Sequence, residues 1–467
     1  MGFVDYDVVI VGGSLQARAA AARGARQGAR MALAEPPGEV ERELAGQLLV
    51  RHLVQLHSSA AKPLDWAACG RYIQRTVEVA YPQWTRSALV AQGVDVLEER
   101  GQLSPGPPLT LITPQRQLRS RGVILAPAGQ SPLPPMPGLA ERAYLSLADL
   151  AALPQRPDRL VILGRRPLAI ALAQALAHLG TLVTLVSRGD RLLPEEDTDI
   201  SDFVESLVIA AGVDLRLGTS VSEITGEAPL TLHLPDQPPL VTDHLLVASL
   251  PRPHLAPLNL SALGISTETA YLSVDDHLST VHPRIFACGP ALGGYWAEVR
   301  DHQDVAIVLD NALYLPRRTV RWHHRQALLP TWPPLGRLGM TAAQAKAWYG
   351  PAVTVLQAPL SGVVSSHLSD HTTGFCRWVV DQEGQLLGAQ VIGPEADQIL
   401  ATLAMTLQHR LGLPDLAQIP RLPYSSSEIL NQLLETWQQQ RWQPGRWRRD
   451  WAENWFNWRR TRQDGGT

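Results

Sequence analysis

The chain of 467 residues is poor in the features that usually direct a functional reading. It has three cysteines, Cys69, Cys288 and Cys376, far apart and without a CxxC pair, which excludes a disulfide framework and a cysteine metal site. The pair His323-His324 lacks a third ligand in spacing, so no metal is expected. Of 41 basic residues only Lys62 and Lys346 are lysines, so each stands out in an arginine-biased chain. Net charge is −3, and no global field selects nucleic acid or an acidic substrate. No run of roughly 18 apolar residues occurs, which excludes a spanning helix. The sequence opens directly on a strand, without the basic, apolar and small-residue order of a secretory signal, so a cytoplasmic compartment is expected.

What is present is an architecture. The length suggests about three domains at roughly 150 residues each. The stretch DYDVVIVGGSLQARAAAARGARQGARMALAEP, from Asp5 to Pro36, has the order strand, tight turn, helix, strand, acid. Val8–Val11 and Met31–Ala34 are continuous apolar runs, as strands buried on both faces should be. Gly12-Gly13 gives the turn, and Glu35 follows about 20 residues on, where an acid bonds a ribose hydroxyl in dinucleotide-binding units. Where such units carry three glycines, this one has Gly12, Ser14 and Ala17. A second unit starts at Arg159: RLVILGRRPLAIALAQALAHLGTLVTLV, with Gly164 at the turn and a helix expected over 167–179. Short apolar strands at Val123–Ala126, Leu245–Ala248 and Ile285–Cys288 complete the two units. From about Arg325 the pattern changes. Phe375–Asp381 and Gln385–Ile392 alternate as half-buried strands around a turn at 383–385, and helices are expected over 396–411 and 427–440.

In order and spacing, from Asp5 to about Leu430, the chain resembles the pyridine nucleotide–disulfide oxidoreductases of the lipoamide dehydrogenase, glutathione reductase and mercuric reductase type. HPRIFACGPALGG (282–294) is similar to the segment that returns to the flavin, and GFCRWVVDQEGQLLGAQVIGPEADQI to the dimerisation domain. The resemblance implies an α/β fold with two nested Rossmann-like domains and an α+β C-terminal domain. The expected divisions are 1–150 with 272–324 for FAD, 151–271 for NAD(P), 325–436 for dimerisation, and a tail over 437–467. It also implies a homodimer.

The family's chemistry passes a hydride from NAD(P)H to FAD and electrons onward to a Cys-x4-Cys disulfide. No cysteine occurs in residues 1–68. Aligning HSSAAK (57–62) with the family's Cys-Ile-Pro-Ser-Lys places Ser58 and Leu53 at the cysteine positions and Lys62 at the flavin-side lysine. Neither serine nor leucine can form a mixed disulfide. Pro423 stands where the family has its histidine base, with Glu428 at the glutamate. In the second unit Gly164, Arg166, Ala169 and Ala171 replace Gly-x-Gly-x-x-Gly-x-Glu, and Ser187-Arg188 replaces the acid that favours NAD, which suits NADP. Pro290 replaces the acid that bonds the ribityl chain. The resemblance assigns FAD to Gly12, Gly13, Ser14, Glu35, Lys62, Gly129 and Gly289. It assigns a nicotinamide nucleotide to Gly164, Arg166 and Arg188. Spacing alone supports Gly12 and Glu35, and a plain βα loop with a solvated acid, or a surface Lys62, are the simpler alternatives. No catalytic residue is assigned. Cys288 and Cys376 in apolar strands read as core thiols.

The end of the chain lies outside the family pattern. Trp447, Trp451, Trp455 and Trp458 recur at helical spacing amid arginines. Trp437–Arg462 would serve as an anchor on anionic lipid or a docking helix for a partner protein, or would pack back on the dimer. Two functions follow: an FAD oxidoreductase that transfers electrons from NAD(P)H to a small acceptor without a disulfide, or a non-catalytic dimeric scaffold that docks through the tail.

Overall fold

A computed structural model describes residues 4–57, 65–139, 144–227, 229–294, 296, 303–420, 423–441 and 447–463. For His57, Trp447, Arg448, Arg462 and Gln463 it gives the backbone alone. Two compact units are present. One comprises residues 1–321 with 329–332, the other 322–328 with 333–467.

The larger unit starts with β1 (Tyr6–Val11), α1 (Leu15–Arg26), β2 (Met31–Ala34), α2 (Glu39–His57), α3 (Trp66–Val79) and α4 (Arg86–Ala91). Then come β3 (Asp95–Leu97), β4 (Gln102–Ser104), β5 (Leu109–Ile112) and β6 (Gln117–Leu125). Their sheet runs β3-β2-β1-β6-β5-β4, with β1 parallel to β2 and β6. Because strand side chains alternate, β1 feeds two cores. Val8 and Ile10 pack with Ala17, Ala20 and Ala21 of α1, while Val9 and Val11 pack with Leu103, Leu111 and Leu258. Alanines let α1 lie close to its sheet, the sequence reason for so Ala-rich a helix.

After β7 (Gly129–Gln130) and α5 (Leu147–Leu150), the second unit of the sequence repeat is built. It contains β8 (Arg159–Leu163), α6 (Pro167–His178), β9 (Leu182–Val186), α7 (Thr198–Ala210) and β10 (Asp214–Arg216). A meander of β11 (Glu223–Thr225), β12 (Leu230–Leu234) and β13 (Gln237–Thr242) precedes β14 (His244–Val247). The parallel sheet runs β10-β9-β8-β14. Helix α6 is buried from Pro167 to Leu176, between its own sheet and α2, which explains a sequence of almost only Ala and Leu. β15 (Arg252–Pro253) pairs with β7, and β16 (Ile285–Ala287) returns to the first sheet beside β6. α8 (Gln303–Leu313) covers that sheet through Val305, Val308 and Leu309.

The smaller unit has an antiparallel sheet, β17-β18-β21-β20-β19, made of β17 (Gln326–Leu329), β18 (Leu335–Gly339), β19 (Thr354–Pro359), β20 (Phe375–Val380) and β21 (Leu386–Ile392). One expectation fails here. The alternation in β20 predicted a strand with one wet face, yet all six residues are buried. Cys376, Trp378 and Val380 pack with Ile399, Leu403, Leu430 and Leu433, which lie in the helices Ala396–Gln408 and Glu428–Arg441. Val379 on the opposite face packs with Met340 and Ala345, and Arg377 is buried with its guanidinium on Gln357 Oε1 at 2.7 and 2.9 Å. The polar residue marked a satisfied buried site, not solvent.

Past that domain a helix spans Trp447–Gln463. The rings of Trp451 and Trp455 stack at 5.9 Å, and those of Trp455 and Trp458 at 5.0 Å. All three are exposed and form one aromatic face, while the side chain of Trp447, the fourth expected member, lies outside the described residues. Trp442 lies outside the described residues. Trp437 belongs to the core of the preceding domain, under the guanidinium of Arg441. No helix among the described residues is long and apolar enough to cross a membrane.

Candidate cofactor site

The β1–α1 turn is held by main-chain constraints. Gly12 has φ +138°, and a Cβ there would lie 2.2 Å from the carbonyl oxygen of Ala126 at the end of β6. Only glycine tolerates that approach. Ser14 caps α1. Its hydroxyl accepts from Ala17 N at 3.2 Å and donates to Ala126 O at 2.7 Å. The residue that departs from the three-glycine pattern thus ties the turn to the next strand and satisfies one free helix donor.

Glu35 ends β2 and is 2% exposed. Both its oxygens accept from Arg18, Oε2 from Nε and Oε1 from Nη2, each at 2.9 Å, and Arg18 also holds Glu41 at 2.7 Å. Burial pushes the Glu35 carboxyl above its usual range, and Arg18 opposes that shift. A carboxylate has lone pairs beyond those two bonds, but Glu35 lines neither cavity described below.

Two cavities flank the turn. The larger, about 440 Å³, is lined by Gln16, Gly129, Ser131, Arg166, Pro290 and Gly293, with Arg42, Glu43 and Asp149 giving it a charged wall. The smaller, about 40 Å³, lies beside Gly12, Ala34, Glu99, Arg100 and His254. Glu39 and Ala128 line both. Glu39 opens α2 and its side chain lies over Gly13. A Cβ on Gly13 would stand 2.7 Å from Glu39 Oε2 and 2.8 Å from its Cβ. Arg100 holds Glu39 at 3.1 Å and reaches His254 Nδ1 at 3.0 Å. Burial raises the Glu39 carboxyl, while Arg100 and His254 pull it down.

The second unit repeats the turn. Gly164 has φ +117°, and its Cβ would lie 2.3 Å from Ala248 O. Arg166 is the N-cap of α6 without a side-chain cap bond, and Pro167 follows at the first helical position. The Arg166 guanidinium donates to Ser131 Oγ at 2.9 Å, which aims it into the larger cavity. Arg165 donates to Arg191 O at 2.7 Å and fills the space over Gly189. Arg188 is exposed at the end of β9.

Of the residues expected from sequence, Gly129 and Arg166 meet in the larger cavity and Gly12 borders the smaller. Gly13, Ser14 and Gly164 shape the turns. Gly289 has φ +65° and packs near Gln16. Lys62 and Ser58 lie outside the described residues. Missed were Arg18, Glu39 and the Arg100–His254 pair. An arginine within an alanine helix could have signalled Arg18, and an acid at the first position of a helix Glu39. Nothing local marks Arg100 with His254.

A dinucleotide fits this frame in three respects. The glycine turn is intact, α1 starts at it, and cavities lie on both sides. Glu39 is the misfit, a carboxylate over the turn between them. None of the three cysteines lines either cavity, although Cys288 is buried directly before Gly289 and Pro290, and all three are buried free thiols. Burial pushes Cys69 to about 11 and Cys376 to about 12, and raises Cys288 as well.

Comparison with known proteins agrees with this frame. The family model described as pyridine nucleotide-disulphide oxidoreductase matches residues 6–304, and that of the same family's dimerisation domain matches 326–431. A mercuric reductase of Staphylococcus aureus is 26% identical over 434 residues, covering 88% of this chain and 79% of the relative. The probable pyridine nucleotide-disulfide oxidoreductase RclA of Escherichia coli strain K12 is 28% identical over 349 residues, or 73% and 78% of the two chains. In fold, the chain matches the HOCl-induced flavoprotein disulfide reductase RclA from Escherichia coli with a TM-score of 0.78 at 24% identity, over 92% of this chain and 99% of that one. It matches LpdA from Mycobacterium tuberculosis with a TM-score of 0.81 at 21% identity, over the same shares. The chain belongs to the pyridine nucleotide-disulphide oxidoreductase family.

Proposed function

We propose that this protein is an FAD-dependent oxidoreductase that passes electrons from a nicotinamide nucleotide to a small acceptor without a thiol relay. Members of the family are FAD-dependent and use NAD(P)H. The observation that carries the departure is the absence of cysteine from residues 1–68 in a chain whose cofactor frame persists. The three remaining thiols are buried and held protonated, which denies them thiolate chemistry. Bound FAD would supply a two-electron acceptor for hydride. The chain's part is to grip it at the Gly12 turn, to orient it in the larger cavity, and to present Arg166 there to an anionic group. The dimerisation domain supports a homodimer. A visible spectrum of purified protein tests the reading: flavin bands should bleach with NADH or NADPH, and turnover of a quinone should survive thiol alkylation. Colourless protein that takes up no FAD, or turnover of a disulfide substrate, would overturn it.

The exposed Trp451–Trp455–Trp458 ladder favours a second reading, a scaffold that docks through its tail. Arginines beside exposed tryptophans suit an anionic membrane surface or a partner protein. Deleting residues 438–467 should then abolish association with anionic vesicles or the partner, and unchanged fractionation counts against it.

A further inference from the structure

We propose that Glu39 is a latch across the cofactor cradle, which FAD must displace to seat its pyrophosphate. This rests on the flavin reading above. FAD has an adenosine end and a flavin end joined by a pyrophosphate; Gly12 of the turn borders the cavity of about 40 Å³, and Gln16 of the helix that follows borders the one of about 440 Å³. Glu39 and Ala128 line both cavities, so a molecule spanning the two would pass the Glu39 side chain. Its carboxylate lies over Gly13, at the N-terminal end of α1 where backbone N–H groups would meet a phosphate. The latch is fastened rather than loose. Its side chain is 19% exposed, bonded to Arg100, and Arg100 in turn contacts His254.

The carboxylate opposes the cofactor in two ways. It fills the space above Gly13, and it sets like charge against the pyrophosphate in a partly buried place, where repulsion is screened little. It also stands in for the absent anion, giving Arg100 a partner. When Glu39 swings out, Arg100 is left beside the turn with the charge that a phosphate needs. The wild-type chain should therefore hold FAD weakly compared with what its glycine turn permits.

The test compares FAD and riboflavin binding by quenching of flavin fluorescence in the full chain, for wild type, Glu39→Ala and Glu39→Gln. Riboflavin has no phosphate and serves as the uncharged probe of the larger cavity. Both substitutions should tighten FAD, at least about tenfold for the alanine variant, and leave riboflavin unchanged. The glutamine variant keeps shape and removes only charge, so it answers the question should the alanine variant fold poorly. Equal FAD affinity in all three proteins, or weaker binding in the variants, overturns the latch and leaves the flavin reading standing. Equal tightening of riboflavin would also overturn it, since a wider cavity alone would explain the gain. FAD uptake by none of the three overturns both.

Discussion

Gly12 and Gly164 stand at the same point of two repeated units. Each has a positive φ, and a Cβ on either would meet a strand-end carbonyl oxygen at 2.2 or 2.3 Å. Each turn nitrogen bonds the end of the neighbouring strand, Gly12 to Ala34 at 2.9 Å and Gly164 to Val186 at 2.8 Å. Beyond that shared backbone the units part. The first keeps a serine cap, a buried Arg18–Glu35 pair and an acid over the turn. The second has proline at the helix start, no side-chain cap and a helix whose only polar residues are the buried Gln174 and the terminal His178. Steric rules fix the turn because a single atom added there has nowhere to go. Charge around it is free to drift, because an ion pair or an apolar contact fills the same volume.

If the turns are equivalent, Gly12→Ala and Gly164→Ala should fail alike, each losing more than about 4 kcal/mol or failing to accumulate as folded protein. Urea denaturation of the two variants checks this. A large loss in one alone would break the equivalence. The ion pair should separate the units next. Arg18→Ala leaves Glu35 buried without its main partner and should cost about 3–5 kcal/mol, whereas Arg18→Met with Glu35→Leu should come close to neutral. The second unit has no counterpart to lose, since Ser187 follows its strand.

Most of the fold was legible because it rests on periodicity and punctuation. Continuous apolar runs gave the parallel strands, and Gly12, Gly164 and the Ala-rich stretches gave the turns and helices between them. What failed was the wet face of β20. A local alternation cannot tell a solvent-facing arginine from Arg377, whose partner Gln357 lies one strand away. The site was legible to the extent that it is local. Gly129 and Arg166 were found through the family pattern and do line the larger cavity. Glu39 was missed because an acid at a helix start has an ordinary explanation, favourable contact with the helix dipole. Its position over Gly13 and its grip on Arg100 exist only once the chain has folded.

Thiol titration sets the second repeated unit, which contains no cysteine, against the rest of the chain, with Cys69 and Cys288 in the first repeated unit and Cys376 in the smaller compact unit. Cys69 and Cys376 hold their protons to about 11 and 12, and Cys288 is raised as well. The unfolded chain releases them near 8.5. The folded state is therefore favoured below that value, and the benefit is lost as pH rises from there through the folded values. Between pH 8 and 10 the protein should lose about 1–2 kcal/mol per thiol, measured by denaturant melts, and Cys69→Ser should reduce the slope. A thiol-reactive dye at pH 8 should label no cysteine quickly until denaturant is added.

The smallest expected difference lies at the helix caps and bears most directly on how the two turns diverged. Ser14 Oγ both accepts from Ala17 N and donates to Ala126 O, so Ser14→Ala should cost about 1 kcal/mol. Arg166 holds the equivalent place before α6 and makes no cap bond, so Arg166→Ala should leave stability within about 0.5 kcal/mol. Paired melts of the two variants measure the contrast. A comparable loss at Arg166 would mean that its bond to Ser131 stabilises the fold, leaving that arginine a structural strut. A negligible loss would show that its bond to Ser131 is not needed for the fold, as expected of a group kept for an anionic ligand.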